Sequence, residues 1–265
     1  MSTVPRNFIK NLPLPPLVLS QKHLEIQSRD NAILDAARGI FFDRGYYGLT
    51  MDGIANQVGC PKGTIYHRFS CKEDIIICLA TRSLQVRNSM MTRAAAFEGR
   101  SRERMLAVGE ATSLFTRLYQ SDSRLLHMAM GPVREKASPE RVLALSREES
   151  SAIQTVYGIL QSGVKEGDLP LAGEVSVEEI ALGAWGLVDG AFTLIESGIP
   201  FHCLDLQDPF HKVWHFFNIA ADGYGWKPLL NEWDYEETLA RVRKQVFPEE
   251  AQEVYGEGQW YGDRL

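Results

Sequence analysis

Cysteine is scarce in this chain of 265 residues: it has four, at 60, 71, 78 and 203, and no two are spaced CxxC. That spacing argues against a zinc knuckle or a thioredoxin-type site, and a chain of this length needs no disulfides to hold a core. No run of about 18 apolar residues occurs, so no membrane-spanning helix and no membrane partner are expected. The apolar piece near the start, LPLPPLVL, is broken by Pro13, Pro15 and Pro16, and reads as neither signal peptide nor span. The expected compartment is the cytoplasm, with reduced thiols. Alternation of polar and apolar residues is missing, as is any internal repeat. Catalytic signatures are missing too: there is no GxSxG, GxxxxGK[ST] or HExxH, and no GxGxxG behind a strand. Acid pairs such as Glu148-Glu149 and Glu178-Glu179 read as solvated helix surface. Neither enzyme chemistry nor a cofactor is expected.

What the chain has is helical periodicity, with 45% hydrophobic and 23% charged residues, ordinary for a folded protein. Net charge is −6, unevenly spread. Residues 1–79 hold nine Lys/Arg and seven Asp/Glu, and the remainder nineteen and twenty-seven. Such asymmetry fits a first part that tolerates a polyanion and a second that repels it.

Four segments follow. Residues 1–27, with scattered prolines and Arg6, Lys10 and Lys22, read as a flexible arm, either a solvated leader or a DNA-touching extension. Residues 28–75 carry short apolar stripes: Ile33, Ala36, Ala37, Ile40 and Phe41, then Ile54, Ala55 and Val58, then Ile65, Tyr66 and Phe69. Gly45 and Gly59 are placed to stop the first two, Thr50 to cap the second and Pro61 to open the third. Residues 76–225 continue as longer helices, beginning with one from Lys72 to about Phe97. Two late helices stand out. One carries Ile180, Ala184, Leu187, Val188, Ala191, Phe192 and Ile195 on one face, with Gly183, Gly186 and Gly190 elsewhere; the other carries Phe210, Val213, Trp214, Phe217, Ala220 and Tyr224. Each glycine costs about 1 kcal/mol against alanine in a helix interior. A second copy of the chain packed there would offset that, and burial in the core of one chain is the alternative. Residues 226–265 form an acidic extension, helical around 234–246, that packs onto the body or a partner.

Cys60 to Lys72 is the cationic exception, with Lys62, Arg68 and Lys72 and no acid. Two short helices joined at Gly59-Cys60 make a helix-turn-helix unit, whose second helix lies in the DNA major groove. Gly63 permits close approach, Thr64 and Tyr66 offer hydroxyls, and His67 and Arg68 offer donors to base edges. Lys62 opens the helix where its side chain can approach the duplex closely, and Lys72 and Thr50 suit phosphates.

Residues 29–79 resemble the DNA-binding domain of TetR-family transcriptional regulators, through Ile33, Ala36, Ala37, Phe41, Gly45, Thr50, Ile54, Ala55, Val58, Gly59, Gly63 to Tyr66, Phe69 and Lys72 to Ile75. Cys60-Pro61 departs from the small residue and serine usual there and removes a serine cap. The resemblance implies an all-α homodimer: an N-terminal three-helix helix-turn-helix domain on double-stranded operator DNA, and a C-terminal helical domain for a small-molecule effector and dimerisation. It implies that the two late helices form a four-helix bundle with their copies. Repression relieved by the effector is the expected behaviour. The alternative is a dimeric helical interaction protein that does not bind DNA.

Phe115, Tyr119, Tyr157, Trp185 and Phe192 are the candidate lining of an apolar effector cavity, each also compatible with ordinary core. His211 and His215, four apart with His202 upstream, have metal spacing but lack a clear third ligand, so no metal site is expected. Cys60, Cys71 and Cys78 are read as buried, inert thiols rather than redox sensors.

Overall fold

Twelve helices and no strand make up the described residues of the computed structural model, which are 21–171, 173, 175–199, 206 and 208–256. In chain order they are α1 Gln21–Gly48, α2 Met51–Val58, α3 Lys62–Arg68, α4 Lys72–Ala95, α5 Ser101–Leu118, α6 Gln120–Met128, α7 Pro132–Lys136, α8 Pro139–Glu166, α9 Val177–Glu196, α10 Pro209–Gly223, α11 Tyr235–Gln245 and α12 Pro248–Tyr255. The protein is all-α, with a helix-turn-helix domain at the front and a larger helical body behind.

Helix α1 starts at Gln21, inside the stretch read as an arm, because Gln21 to Arg29 contains no proline and mostly good helix formers. The rest of that stretch, 1–20, lies outside the described residues. Gly45 breaks α1 with φ 66°, where a side chain would be strained. Thr50 caps α2 by accepting the Gly53 N–H at 3.0 Å, and Gly59 ends it in the left-handed region. Ile33, Ala37, Leu49, Ile54, Ile65 and Phe69 are sealed between α1, α2, α3 and α4.

The body is built around α5, buried on nearly all sides and packed by α4, α8, α11 and α12. The Trp214 ring lies so close to Gly109 that an added Cβ would sit 2.3 Å from it, so this helix crossing requires glycine. Periodicity alone did not find α6 and α7. The first is short and buries the polar Asp122 and Ser123, and the second has five residues after a Gly-Pro turn.

The tail belongs to the body's core. Arg102, wholly buried, donates to Asp222 Oδ1 (2.7 Å), to the carbonyls of Trp226 (2.5 Å), Pro228 (2.8 Å) and Asn218 (2.8 Å), and to Asn218 Oδ1 (3.1 Å). The Trp226 indole is buried and donates to Ser101 Oγ. Glu110 of α5, also wholly buried, pairs with Arg243 of α11.

The two late helices each carry two apolar faces. Ile180, Phe192, Val213, Trp214 and Phe217 are buried within the chain. Leu182 (75% exposed), Leu194, Phe216 (57% exposed) and Ile219 face outward. Gly186 and Gly190 look into open space. Part of each named stripe therefore serves the core of one chain, the rest is half-buried or exposed, and a second apolar surface lies beside it.

Candidate nucleic-acid interface

Helix α3 is held from behind. Ile65 and Phe69 anchor its inner face, while Lys62, Gly63, Tyr66 and His67 are exposed and Thr64 is half-buried. No side chain caps its N-terminus, where Pro61 stands. Nothing lies within 4 Å of a Cβ built on Gly63, so a duplex backbone meets only bare peptide there.

The three cations differ in freedom. Lys62 pairs with Asp52 of α2, Nζ–Oδ1 2.7 Å, with both groups largely in solvent. Such a pair is weak and exchanges readily for a phosphate. Arg68 turns back toward α1: its Nε donates to Asp30 Oδ1 at 2.7 Å and its Nη2 to Asp30 Oδ2. This carboxylate raises the Arg68 pKa above its ordinary value against the opposing effect of burial. Lys72 lies 3.8 Å from the centre of the Tyr46 ring and donates to the Tyr46 carbonyl at 3.2 Å. The Tyr46 hydroxyl donates to Glu73 Oε1 at 2.7 Å, and that bond, with burial, pushes the phenol up to about 12. Thr50 is exposed, its hydroxyl oxygen engaged by the cap.

Sequence reasoning passed over Tyr47. It is 91% exposed, edge-on to Tyr46, at the break between α1 and α2. Its signal was available: a large aromatic just after a helix-stopping glycine, in the short link before the Thr50 cap. Asp30 and Asp52, which occupy two of the cations, were also missed.

Several tethers join this domain to the body, among them Arg82 of α4, which donates to Asp35 (3.2 Å) and Asn31 (2.5 Å) of α1. Arg38 of α1 reaches Asp122 of α6, Nη2–Oδ2 2.5 Å. Asp74 of α4 accepts the backbone N–H groups of Ser70 (2.9 Å) and Ser138 (2.7 Å). Arg141 of α8 donates to the Arg68 carbonyl at 3.3 Å.

Of the five aromatics read as effector lining, Trp185 and Phe192 line a cavity of about 240 Å³ between α4, α5, α6, α8 and α9. Phe115 and Tyr119 stack on each other at 5.4 Å and border a separate cleft against α1 and α4. Tyr157 donates to Glu178 at 2.7 Å near the surface. His211 bonds Glu236 at 2.9 Å, His215 is exposed, and His202 and Cys203 lie outside the described residues. Among the described residues no three His, Cys, Asp or Glu side chains cluster as metal ligands. Burial pushes the Cys78 thiol up to about 11 and raises that of Cys71, the wrong direction for a reactive thiolate. No described helix is long and apolar enough to cross a membrane.

A helix-turn-helix with an exposed second helix, carried on an all-helical body, is the architecture on which the comparisons with known proteins converge. Residues 33–77 match the family model described as bacterial regulatory proteins, tetR family. The chain is 39% identical over 56 residues to the HTH-type transcriptional repressor AcnR of Corynebacterium diphtheriae, a match spanning 21% of this chain and 30% of that protein. It is 27% identical over 175 residues to the probable HTH-type transcriptional regulator ArpR of Pseudomonas putida, 63% of this chain and 79% of that one. A crystal structure of a tetR-family bacterial regulatory protein from Rhodococcus RHA1 superposes with TM-score 0.56 and 18% identity, covering 75% of this chain and 98% of that one. Over residues 33–77 the chain carries the part that the tetR family of bacterial regulatory proteins shares.

Proposed function

We propose that the protein is a cytoplasmic, homodimeric repressor that leaves its operator when a small molecule enters the body. The observation that carries this is the outward presentation of Gly63, Thr64, Tyr66 and His67 on a helix whose inner face is sealed by Ile65 and Phe69. These four would meet base edges, with Lys62, Lys72 and Thr50 toward phosphates and Arg68 holding α3 against α1. The outward apolar surface of α9 and α10 supports a dimer, burying Leu182, Leu194, Phe216 and Ile219 against their copies. Two copies of α3 would then enter successive major grooves about 34–36 Å apart. In this reading residues 28–75 bind DNA and 76–225 dimerise and hold the effector, with the tail completing the body.

A second reading, a helical interaction protein without DNA binding, is favoured by one fact: Lys62 and Arg68 both have acidic partners. One experiment decides. A randomised duplex pool is enriched on the full-length protein, and the enriched duplex is used in gel shifts over a salt series. Operator binding should fall linearly in log[salt], and Tyr66→Ala should weaken it about ten-fold or more at fixed salt. Failure to enrich any duplex overturns the repressor reading, and unchanged binding by Tyr66→Ala overturns the role given to α3.

A further inference from the structure

An arginine without an ion pair among the described residues stands at the centre of the body's cavity. A smaller apolar space of about 50 Å³, walled by Met91, Met105, Val108, Trp214 and Phe217, adjoins the larger one. Both are lined by Arg87, Thr112, Trp185 and Asp189. Arg87 points from α4 into this joint space, its guanidinium carbon 5.8 Å from the centre of the Trp185 ring. Its Nε is sealed from solvent without a hydrogen-bond partner, and among the described residues no carboxylate forms an ion pair with it.

The acids around it are already engaged. Glu149 holds Arg134 with both oxygens, at 2.7 and 2.8 Å. Asp189 accepts the Trp185 indole N–H at 3.0 Å. Glu196 accepts the Ser123 hydroxyl at 2.8 Å and faces His127 at 3.6 Å. Arg87 makes an ion pair with none of them, and Asp189, engaged only by a neutral N–H, is the acid left to oppose its charge across the cavity. Burial pulls its pKa below the ordinary arginine value, and the fields of Asp189 and Glu149 offset that only in part. A guanidinium in this position is matched by a carboxylate, whose two oxygens fit its fork. The same nearby acids repel a second or third negative charge, which disfavours phosphates and polyacids. The remaining walls, including Leu126, Leu145, Ile153 and Phe192, are apolar.

We propose that the cavity binds an apolar monocarboxylate, with Arg87 as the counter-ion of its head group and the Met, Trp and Phe walls enclosing its body. This rests on the reading that the body holds the effector and specifies the effector's chemical class.

The test is calorimetric titration of the full-length protein, without DNA, with 1-naphthoate and decanoate and with the neutral amide of each. At least one acid should bind about ten-fold or more tightly than its amide. Arg87→Met should remove that preference by weakening the acid and sparing the amide, and Arg87→Lys should keep part of it. The proposal is overturned if wild type does not distinguish acid from amide, if neither acid binds at millimolar concentration, or if Arg87→Met keeps the preference. Should Arg87→Met fail to fold, as judged by circular dichroism, the wild-type ratio and Arg87→Lys carry the result. The bound acid is then added to the protein–duplex complex. An Arg87-dependent acid that binds without releasing the duplex preserves this assignment and overturns effector-driven release instead.

Discussion

Replacing Arg243 by methionine tests whether the tail is a structural part of the body. Glu110 is wholly buried on α5, and Arg243 supplies its charge partner at 2.7 Å from Nε. The Tyr255 hydroxyl of α12 donates to the same Glu110 oxygen at 3.0 Å, while the other oxygen has no hydrogen-bond partner. Burial and the Glu110 charge push the Tyr255 phenol above its ordinary value, so it stays a donor at neutral pH. Arg243→Met keeps most of the packing volume and leaves Glu110 buried with one neutral donor. Removing one partner of a buried pair costs about 3–5 kcal/mol. The upper bound is the free energy of peeling α11 and α12 from α5, since that movement lets water reach the carboxylate. At about 2–4 °C per kcal/mol for a chain approaching this size, Tm should fall by about 6–20 °C. The measurement is thermal unfolding at fixed protein concentration, because association makes Tm concentration-dependent. Limited proteolysis alongside it should show earlier cleavage between α10 and α11. Adding Glu110→Leu to Arg243→Met should recover much of the loss, since an apolar pair removes the stranded charge. A single variant within about 2 °C of wild type, with an equally resistant tail, would refute the reasoning.

Arg68→Ala should destabilise the packing of α3 on α1 and weaken DNA binding about equally across operator variants, because Asp30 already holds the guanidinium. A base-specific change of about 1–3 kcal/mol at one operator position, measured by competition gel shifts, would show instead that Arg68 reads a base. The His211–Glu236 pair between α10 and α11 predicts a pH profile. Its hydrogen bond raises His211 above 6.5 and lowers Glu236 below 4.5. The histidine's contribution is complete below its ordinary value and is lost as pH rises through the raised one; the glutamate's is present above its ordinary value and lost as pH falls through the lowered one. Both groups are partly exposed, so the effect is under about 1 kcal/mol. The Tm gap between wild type and His211→Gln should be widest between about pH 4.5 and 6.5 and should close on the alkaline side. A gap that widens there would refute the pairing.

Where a residue's role depends on its near neighbours, the chain announced it. Gly45 takes positive φ at the break in α1 and Gly59 at the end of α2, and Thr50 caps α2. Where a role depends on distant partners, it did not. Helix α6 was illegible because its buried face holds Asp122, whose partners are Arg38, 84 positions away, and Ser83, 39 away. The cations of α3 looked free for the same reason: Asp30 lies 38 positions from Arg68 and Asp52 ten from Lys62. Trp185 and Phe192 were legible as cavity aromatics by residue type, whereas Phe115 fills core. Arg87 carried a signal that went unused. It lies on the stripe of Leu84 and Met91, both buried, and a charge on an apolar stripe needs a counter-charge or a ligand.

The same distant contacts bear on how little movement release would require. Helix α6 lines the cavity through Ser123, Leu126 and His127, and Asp122, one residue earlier, grips Arg38 of α1. Helix α8 lines it through Leu145, Glu149 and Ile153, and its first turns carry Arg141, bonded to the last carbonyl of α3. On the proposed function, an effector between these helices therefore sits within one or two helical turns of two tethers that orient the DNA-binding domain. Coupling between effector and operator sites is typically about 1–3 kcal/mol, and a hydrogen bond to a charged group is worth about 1.5–3. Loosening one tether supplies coupling of that size. A small displacement of α6 or α8 is then sufficient to alter the spacing of two α3 helices, and no wholesale rearrangement of the body is needed.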